Sequence, residues 1–192
     1  MANASKNKGK SWEREIAKHL TAIYGVNFQR VPNSGAFVGG FNANRISSLT
    51  PEQLLLASGD IILPRFLSHI TLEGKFYKDF NFESLLINNQ QLDGWIEQAS
   101  VVGKIPFVLF KINRKGGFVV FPSAIKDQLI IEGSHLNYWV TKKDSPACGC
   151  YVIVKMEGFF ETNKESIVAL NQDNYRLYSD AFLQNSSQLT NN

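Results

Sequence analysis

The sequence predicts a mixed α/β domain, a central sheet covered by helices. Three observations carry this. An amphipathic helix stripe leads the chain, a second one lies near its middle, and short apolar strand-like runs fill the intervals. The order is helix, several strands, helix, strands. A chain of 192 residues suits one domain with a full hydrophobic core. No internal repeat and no interdomain linker interrupts it.

Residues 1–10 are polar and lysine-rich and read as a flexible basic N-terminus. Ser11 is a plausible N-cap. Behind it Trp12, Ile16, Leu20 and Ile23 recur at helical spacing, and Gly25 ends the helix. Val26 to Val31 fits a short strand, followed by the loop signal Pro32-Asn33-Ser34-Gly35. Thr50-Pro51-Glu52-Gln53 combines an N-cap, a proline at the first helical position and an acidic first turn, so a short helix is expected over 51–57. Asp60 to Leu63 and His69 to Tyr77 read as two strands joined by a turn around Pro64. Ser84 to Val102 carries Leu92, Trp95, Ile96 and Ala99 at helical spacing. Ile105 to Ile112 and Gly117 to Phe121 form a hairpin around Arg114-Lys115-Gly116-Gly117. Leu136 to Val140 and Cys150 to Lys155 add strands. The tail over 181–192 is rich in Asn, Gln and Ser and reads as flexible.

Composition excludes several classes. With 44% hydrophobic and 19% charged residues, the chain is an ordinary globular one. Nothing approaches the roughly 18–20 unbroken apolar residues of a membrane helix. The lysine-rich start lacks the apolar run of a secretory signal. Cys148 and Cys150 are too few for a disulfide framework or a zinc site, and reduced strand cysteines fit an intracellular protein. The net charge of +3 is mild, but its distribution is uneven. Residues 1–20 hold Lys6, Lys8, Lys10, Arg14 and Lys18 against Glu13 and Glu15, net +3. Residues 157–192 hold Glu157, Glu161, Glu165, Asp173 and Asp180 against Lys164 and Arg176, net −3. A basic front end suits a polyanion, and equally a solvated lysine-rich tail.

The chemistry-bearing stretch is Gly59-Asp60-Ile61-Ile62, then Thr71-Leu72-Glu73-Gly74-Lys75-Phe76. Glu73 and Lys75 sit two apart on one strand and project from the same face. If the Asp60 strand pairs with it, the three side chains converge at one sheet edge. Two hard carboxylates suit Mg²⁺, which keeps several waters. Such a metal neutralises phosphate charge and lowers the pKa of a bound water. A lysine beside them can orient or deprotonate that water. Asp-x(n)-Glu-x-Lys alone is a weak pattern, equally readable as an exposed Glu–Lys pair beside a turn aspartate.

Further motifs surround it: Lys8-Gly9-Lys10-Ser11-Trp12-Glu13-Arg14-Glu15, then Arg30-Val31-Pro32-Asn33-Ser34-Gly35-Ala36, then Gly59-Asp60, then Glu73-Gly74-Lys75. In this order they resemble the archaeal-type Holliday junction resolvases and related phage and restriction-like nucleases of the PD-(D/E)XK superfamily. The resemblance spans roughly residues 8–122, including a later helix with a glutamine and a strand of Ile105-Pro106-Phe107-Val108 type. It implies a restriction-endonuclease-like fold, a mixed sheet flanked by helices, over 11–180. It implies a Mg²⁺-dependent endodeoxyribonuclease, with Mn²⁺ able to substitute, acting on branched or duplex DNA as a homodimer, in the cytoplasm of a cell or of a phage's host. By resemblance, Asp60, Glu73 and the Gly74 carbonyl are expected to hold the metal, and Lys75 to be the catalytic lysine. Glu13 is expected to reach the metal directly or through water. Gln91 is the expected supporting glutamine, with Gln90 and Gln98 competing. Arg30 and Ser34 match the loop that meets the DNA backbone, and Lys8, Lys10, Arg14 and Lys78 are expected along the DNA path.

The chain departs from the pattern: it carries an insertion at 36–58 and a C-terminal extension from about 125, both longer than in compact resolvases, and two residues differ. Gly59 stands where proline is frequent, and Gly74 where an apolar residue is usual. Bland readings accompany the others. Glu13 could pair with Lys10 or solvent, Arg30 could be a surface residue, Ser34-Gly35 a plain turn, and Tyr77-Lys78 a solvated strand end. Lys111, Arg114 and Lys115 form a basic hairpin tip, solvated or touching phosphates. His19, His69 and His135 have no ligand spacing, and the aromatic residues read as packing.

Overall fold

The computed structural model describes residues 2–31, 59–101, 104–142 and 145–170. The Pro32–Gly35 loop with Ser34, the 36–58 insertion with its expected 51–57 helix, and the 181–192 tail lie outside the described residues.

Helix α1 runs Ala2–Tyr24 and buries Trp12, Ile16, Ala17 and Leu20 on one face. Burying side chains such as Ile16 and Leu20 contributes about 1.5–3 kcal/mol each. The Trp12 indole N–H donates to the Leu109 carbonyl at 2.9 Å, fixing the helix to the sheet. Gly25, at φ +72, donates to the Thr21 carbonyl and ends the helix as its sequence position implied. The helix starts nine residues before Ser11, so Ser11 is an interior residue and not a cap.

Strand β1 (Gln29–Arg30) pairs antiparallel with β2 (Ile61–Ile62) as a separate two-stranded ribbon. The main sheet has five strands in the order β3-β4-β5-β7-β6. These are β3 (Ile70–Tyr77), β4 (Ile105–Ile112), β5 (Gly116–Pro122), β6 (Leu136–Val140) and β7 (Gly149–Lys155). β3 and β4 are parallel, with Glu73 opposite Val108 and Lys75 opposite Phe110. The remaining ladders are antiparallel. The β4–β5 hairpin turns through Arg114 and Gly116, both at positive φ.

Helix α2 (Gln90–Ala99) covers the second face, burying Leu92, Trp95, Ile96 and Ala99. It is shorter than the Ser84–Val102 expectation. Buried Asn89 caps it by accepting from the Leu92 N–H, and residues 83–86 form a separate 3₁₀ turn. The Tyr138 hydroxyl on β6 exchanges hydrogen bonds with the Asn89 backbone. At the other end the Thr71 hydroxyl on β3 donates to the Ala99 carbonyl at 2.6 Å. α2 therefore crosses the sheet from its far edge to β3. Two short helices, α3 (Phe159–Thr162) and α4 (Lys164–Ala169), close the described chain and bury Phe159, Phe160 and Ile167 on the α1 side. Among the described residues no helix is long and apolar enough to cross a membrane.

The fold corrects one step of the sequence reading. β2 and β3 do not pair as a hairpin; β2 pairs with β1, and β3 with β4. Asp60 reaches β3 by another route.

Candidate active site

The site forms at β3, the edge strand of the main sheet. Alternation along β3 splits its residues between two faces. The Gly74 Cα faces α1, where a Cβ would lie 3.1 Å from Ile16 Cδ1 and 3.6 Å from Glu13 Cγ. Glu73 and Lys75 point the other way, toward α2. The absent side chain at Gly74 lets α1 approach closely enough to deliver Glu13 to the strand.

Asp60 comes in at the strand edge. Its N–H donates to the Leu72 carbonyl at 2.8 Å, and its carbonyl accepts from Val31 N–H at 2.8 Å. The Asp60 carboxylate then accepts from the Gly74 N–H, Oδ2 to N 2.9 Å. Gly59 makes this approach possible. Its φ is +80, and a Cβ there would lie 2.7 Å from the Leu72 carbonyl oxygen. The departure from proline at this position has a structural reason, because proline is locked near φ −65°.

Glu13, Asp60 and Glu73 are all buried, at 8%, 5% and 9% exposure. Asp60 is the hub of the three. Burial, then repulsion from Asp60, raises the Glu13 carboxyl above its usual range despite the Arg30 guanidinium hydrogen-bonded to it. Burial and Asp60 likewise push Glu73 up to about 7, against the attraction of Lys75. Burial and the nearby Asp60 charge thus disfavour ionisation of Glu13 and Glu73, a cost that a divalent cation beside Asp60 and Glu73 would relieve. Asp60 and Glu73 with a backbone carbonyl suit an ion that keeps its own waters. No group of three or more His, Cys, Asp or Glu side chains among the described residues is gathered tightly enough to wrap a metal by itself.

The Lys75 ammonium donates to Glu73 Oε1 at 2.6 Å and to Gln98 Oε1 at 2.5 Å. The structure thus brings Gln98, not Gln91, to the lysine. Gln91 lies exposed in the first turn of α2, seven residues away, which is about 10 Å along a helix. The signal that could have separated them was the buried cap at Asn89, which sets where the helix begins. Arg30 is half-buried and its Nε pairs with Glu13. Arg14 is exposed beside them on α1. Lys8 lies over the Phe76 ring at 5.9 Å, and Lys78 is exposed beside Asp79. Lys10 is half-buried on α1. Lys111 belongs to no hairpin tip. It pairs with Glu15 at 2.7 Å and lies over the Trp12 ring, tying α1 to β4.

Glu73 and Lys75 thus lie on the edge strand of a mixed, helix-flanked sheet, with Asp60 brought to it from the residue before β2 and Glu13 from α1. A family model described as "Phage putative PDDEXK endonuclease" matches residues 4–169. The chain belongs to this PD-(D/E)XK endonuclease family. The match runs through α1, β3, α2 and the C-terminal strands, so the extension after about 125 belongs to the family pattern up to residue 169. Protein D14 of Escherichia phage T5 is 32% identical over 155 residues, covering 75% of this chain and 86% of that protein. No solved structure matches the chain.

Proposed function

We propose that the protein is a divalent-metal-dependent DNA endonuclease that hydrolyses phosphodiester bonds, and that its preferred substrate is branched DNA such as a four-way junction. The observation that carries the reading is the Asp60 carboxylate seated on the Gly74 N–H, which joins the carboxylates to Glu73-Gly74-Lys75. In this reading Asp60, Glu73 and the Gly74 carbonyl would hold Mg²⁺, or Mn²⁺ in its place. The bound cation supplies charge neutralisation at the phosphoryl oxygens and a more acidic bound water. Lys75, held between Glu73 and Gln98, orients the attacking water and offsets charge on the five-coordinate phosphorus. The water oxygen bonds to phosphorus and gives up a proton to a carboxylate of the site, while the phosphorus–oxygen bond to the departing strand end breaks and that oxygen takes a proton from solvent water. Glu13 beside Gly74, raised by burial and steadied by Arg30, is a further acceptor.

Two strands related by symmetry need two such sites, and each chain supplies one, so the working form is a C2 homodimer. A sequence-specific duplex endonuclease is the near rival, and a non-catalytic DNA-binding module is the rival of another class. Labelled four-way junction and linear duplex, incubated with Mg²⁺ or with EDTA, separate them. The reading predicts Mg²⁺-dependent cutting with the junction preferred. Cutting restricted to one linear sequence favours the first rival, and binding without cutting of either DNA favours the second.

A further inference from the structure

A groove of about 390 Å³ runs between α1 and the β1 ribbon, beside the carboxylates but separate from them. Phe28 lies in its floor, and Arg14, Lys18, Asn27, Gln29 and Arg30 line its walls. No acidic side chain lines it among the described residues. Arg14 and Lys18 are four residues apart on α1, so their cations share one face and repel by a few tenths of a kcal/mol. Lys10 extends the same stripe toward the N-terminus, again at a spacing of four. Neither Arg14 nor Lys18 pairs with a carboxylate among the described residues, whereas Lys75, Lys78, Lys111 and Lys142 all do. Arg30 stands where the groove meets the site: it lines the groove while its Nε holds Glu13.

We infer that this groove is a subsite for the DNA backbone next to the scissile phosphate, with Arg14 and Lys18 taking phosphates. This rests on the nuclease reading and adds where the strand leaves the site. The cations are monopoles on flexible stems that need no sequence, so they position the strand. The apolar floor at Phe28 takes the sugar, and the amides of Asn27 and Gln29 offer donors and acceptors to a base edge. A polyanion in the groove also relieves the Arg14–Lys18 repulsion. Arg30, with five N–H donors of which Nε is committed to Glu13, ties occupancy of the groove to the carboxylate side of the site.

The test measures binding of fluorescently labelled duplex DNA in Ca²⁺, over a series of salt concentrations, for full-length protein. The variants are Arg14→Gln with Lys18→Gln together, and Lys142→Gln as an exposed-cation control on the far side of the sheet. The double variant is expected to show a slope of log K against log salt shallower by roughly two units, about 0.9 for each phosphate no longer neutralised. The control keeps the wild-type slope. Cleavage at saturating DNA should persist in the double variant, so that KM rises while kcat holds. Unchanged affinity and slope in a wild type that cuts DNA would overturn the subsite alone. An equal loss in the control would also overturn it, by reducing the effect to net charge. A double variant that loses affinity and slope in a protein that never cuts would keep the subsite and sink the nuclease reading.

Discussion

Gly59 gives the sharpest test of how the site is assembled. Replacing it with alanine adds one methyl group in a backbone conformation at φ +80. That conformation costs an L-residue about 1–2 kcal/mol. The new Cβ would also lie 2.7 Å from the Leu72 carbonyl oxygen and 3.2 Å from its nitrogen, both backbone atoms of β3. Neither can yield easily, because the same carbonyl accepts from the Asp60 N–H and β3 is locked in register with β4. Overpacking of this kind costs about 1–3 kcal/mol. Gly59→Ala is therefore expected to destabilise by about 2–5 kcal/mol, or roughly 4–20 °C in Tm for a chain of this size. Gly94 supplies the control. It lies inside α2 with nothing within 4 Å of an added Cβ, so Gly94→Ala should stabilise by up to about 1 kcal/mol. Thermal and urea unfolding measure both. A Gly59→Ala protein with wild-type stability would refute the close approach of residue 59 to β3, and with it the route that brings Asp60 to Gly74.

Three further outcomes follow from the site. Glu73 is raised to about 7 in the folded protein, so the stability it confers is full below its ordinary carboxylate range and is lost as pH rises from there through about 7. Glu73→Gln should then stabilise the metal-free protein at pH 8, by no more than about 3 kcal/mol, and change little at acid pH; equal effects at both pH values would contradict this. Mg²⁺ should raise the Tm of the wild type at pH 8 and leave that of Glu73→Gln almost unmoved, as read by differential scanning fluorimetry. Gln98→Ala should slow cutting roughly tenfold or more, the usual cost of losing an outer partner of a catalytic group, while Gln91→Ala cuts at the wild-type rate. The reverse ranking would show that Gln91 supports the lysine.

Much of this was legible in the chain. The Trp12, Ile16, Leu20 stripe names the face of α1 that packs, because a surface helix must bury its apolar side. The β4–β5 hairpin was announced by the glycines at 116 and 117, since its turn needs positive φ. Glu73 and Lys75 share a face because strand alternation is local. Pairing is not local, and there the reading failed: nothing in Ile61-Ile62 says that its partner is Gln29-Arg30 rather than β3. The Asp60-to-Gly74 contact depends instead on the conformation of Gly59, which a sequence motif does not encode. The choice of Gln91 over its competitor Gln98 fails for a related reason. Helical phase depends on the start of the helix, and the buried cap at Asn89 shortens α2. Its C-terminal end is then tied to β3 through Thr71, and Gln98 is carried to Lys75. The Arg30–Glu13 pair joins positions 17 residues apart, so an expected phosphate contact also proves to hold a carboxylate.

Whether Asp60 and its neighbours make a metal-dependent site for cutting DNA is decided by one comparison. Cutting of labelled four-way junction is followed for wild type and for Asp60→Asn, in Mg²⁺ and in EDTA, with DNA binding measured in parallel. The wild type should cut in Mg²⁺ and not in EDTA, and Asp60→Asn should bind the junction but cut it under neither condition. Cutting by the wild type that survives EDTA, or an Asp60→Asn protein that cuts at the wild-type rate, would contradict the assignment.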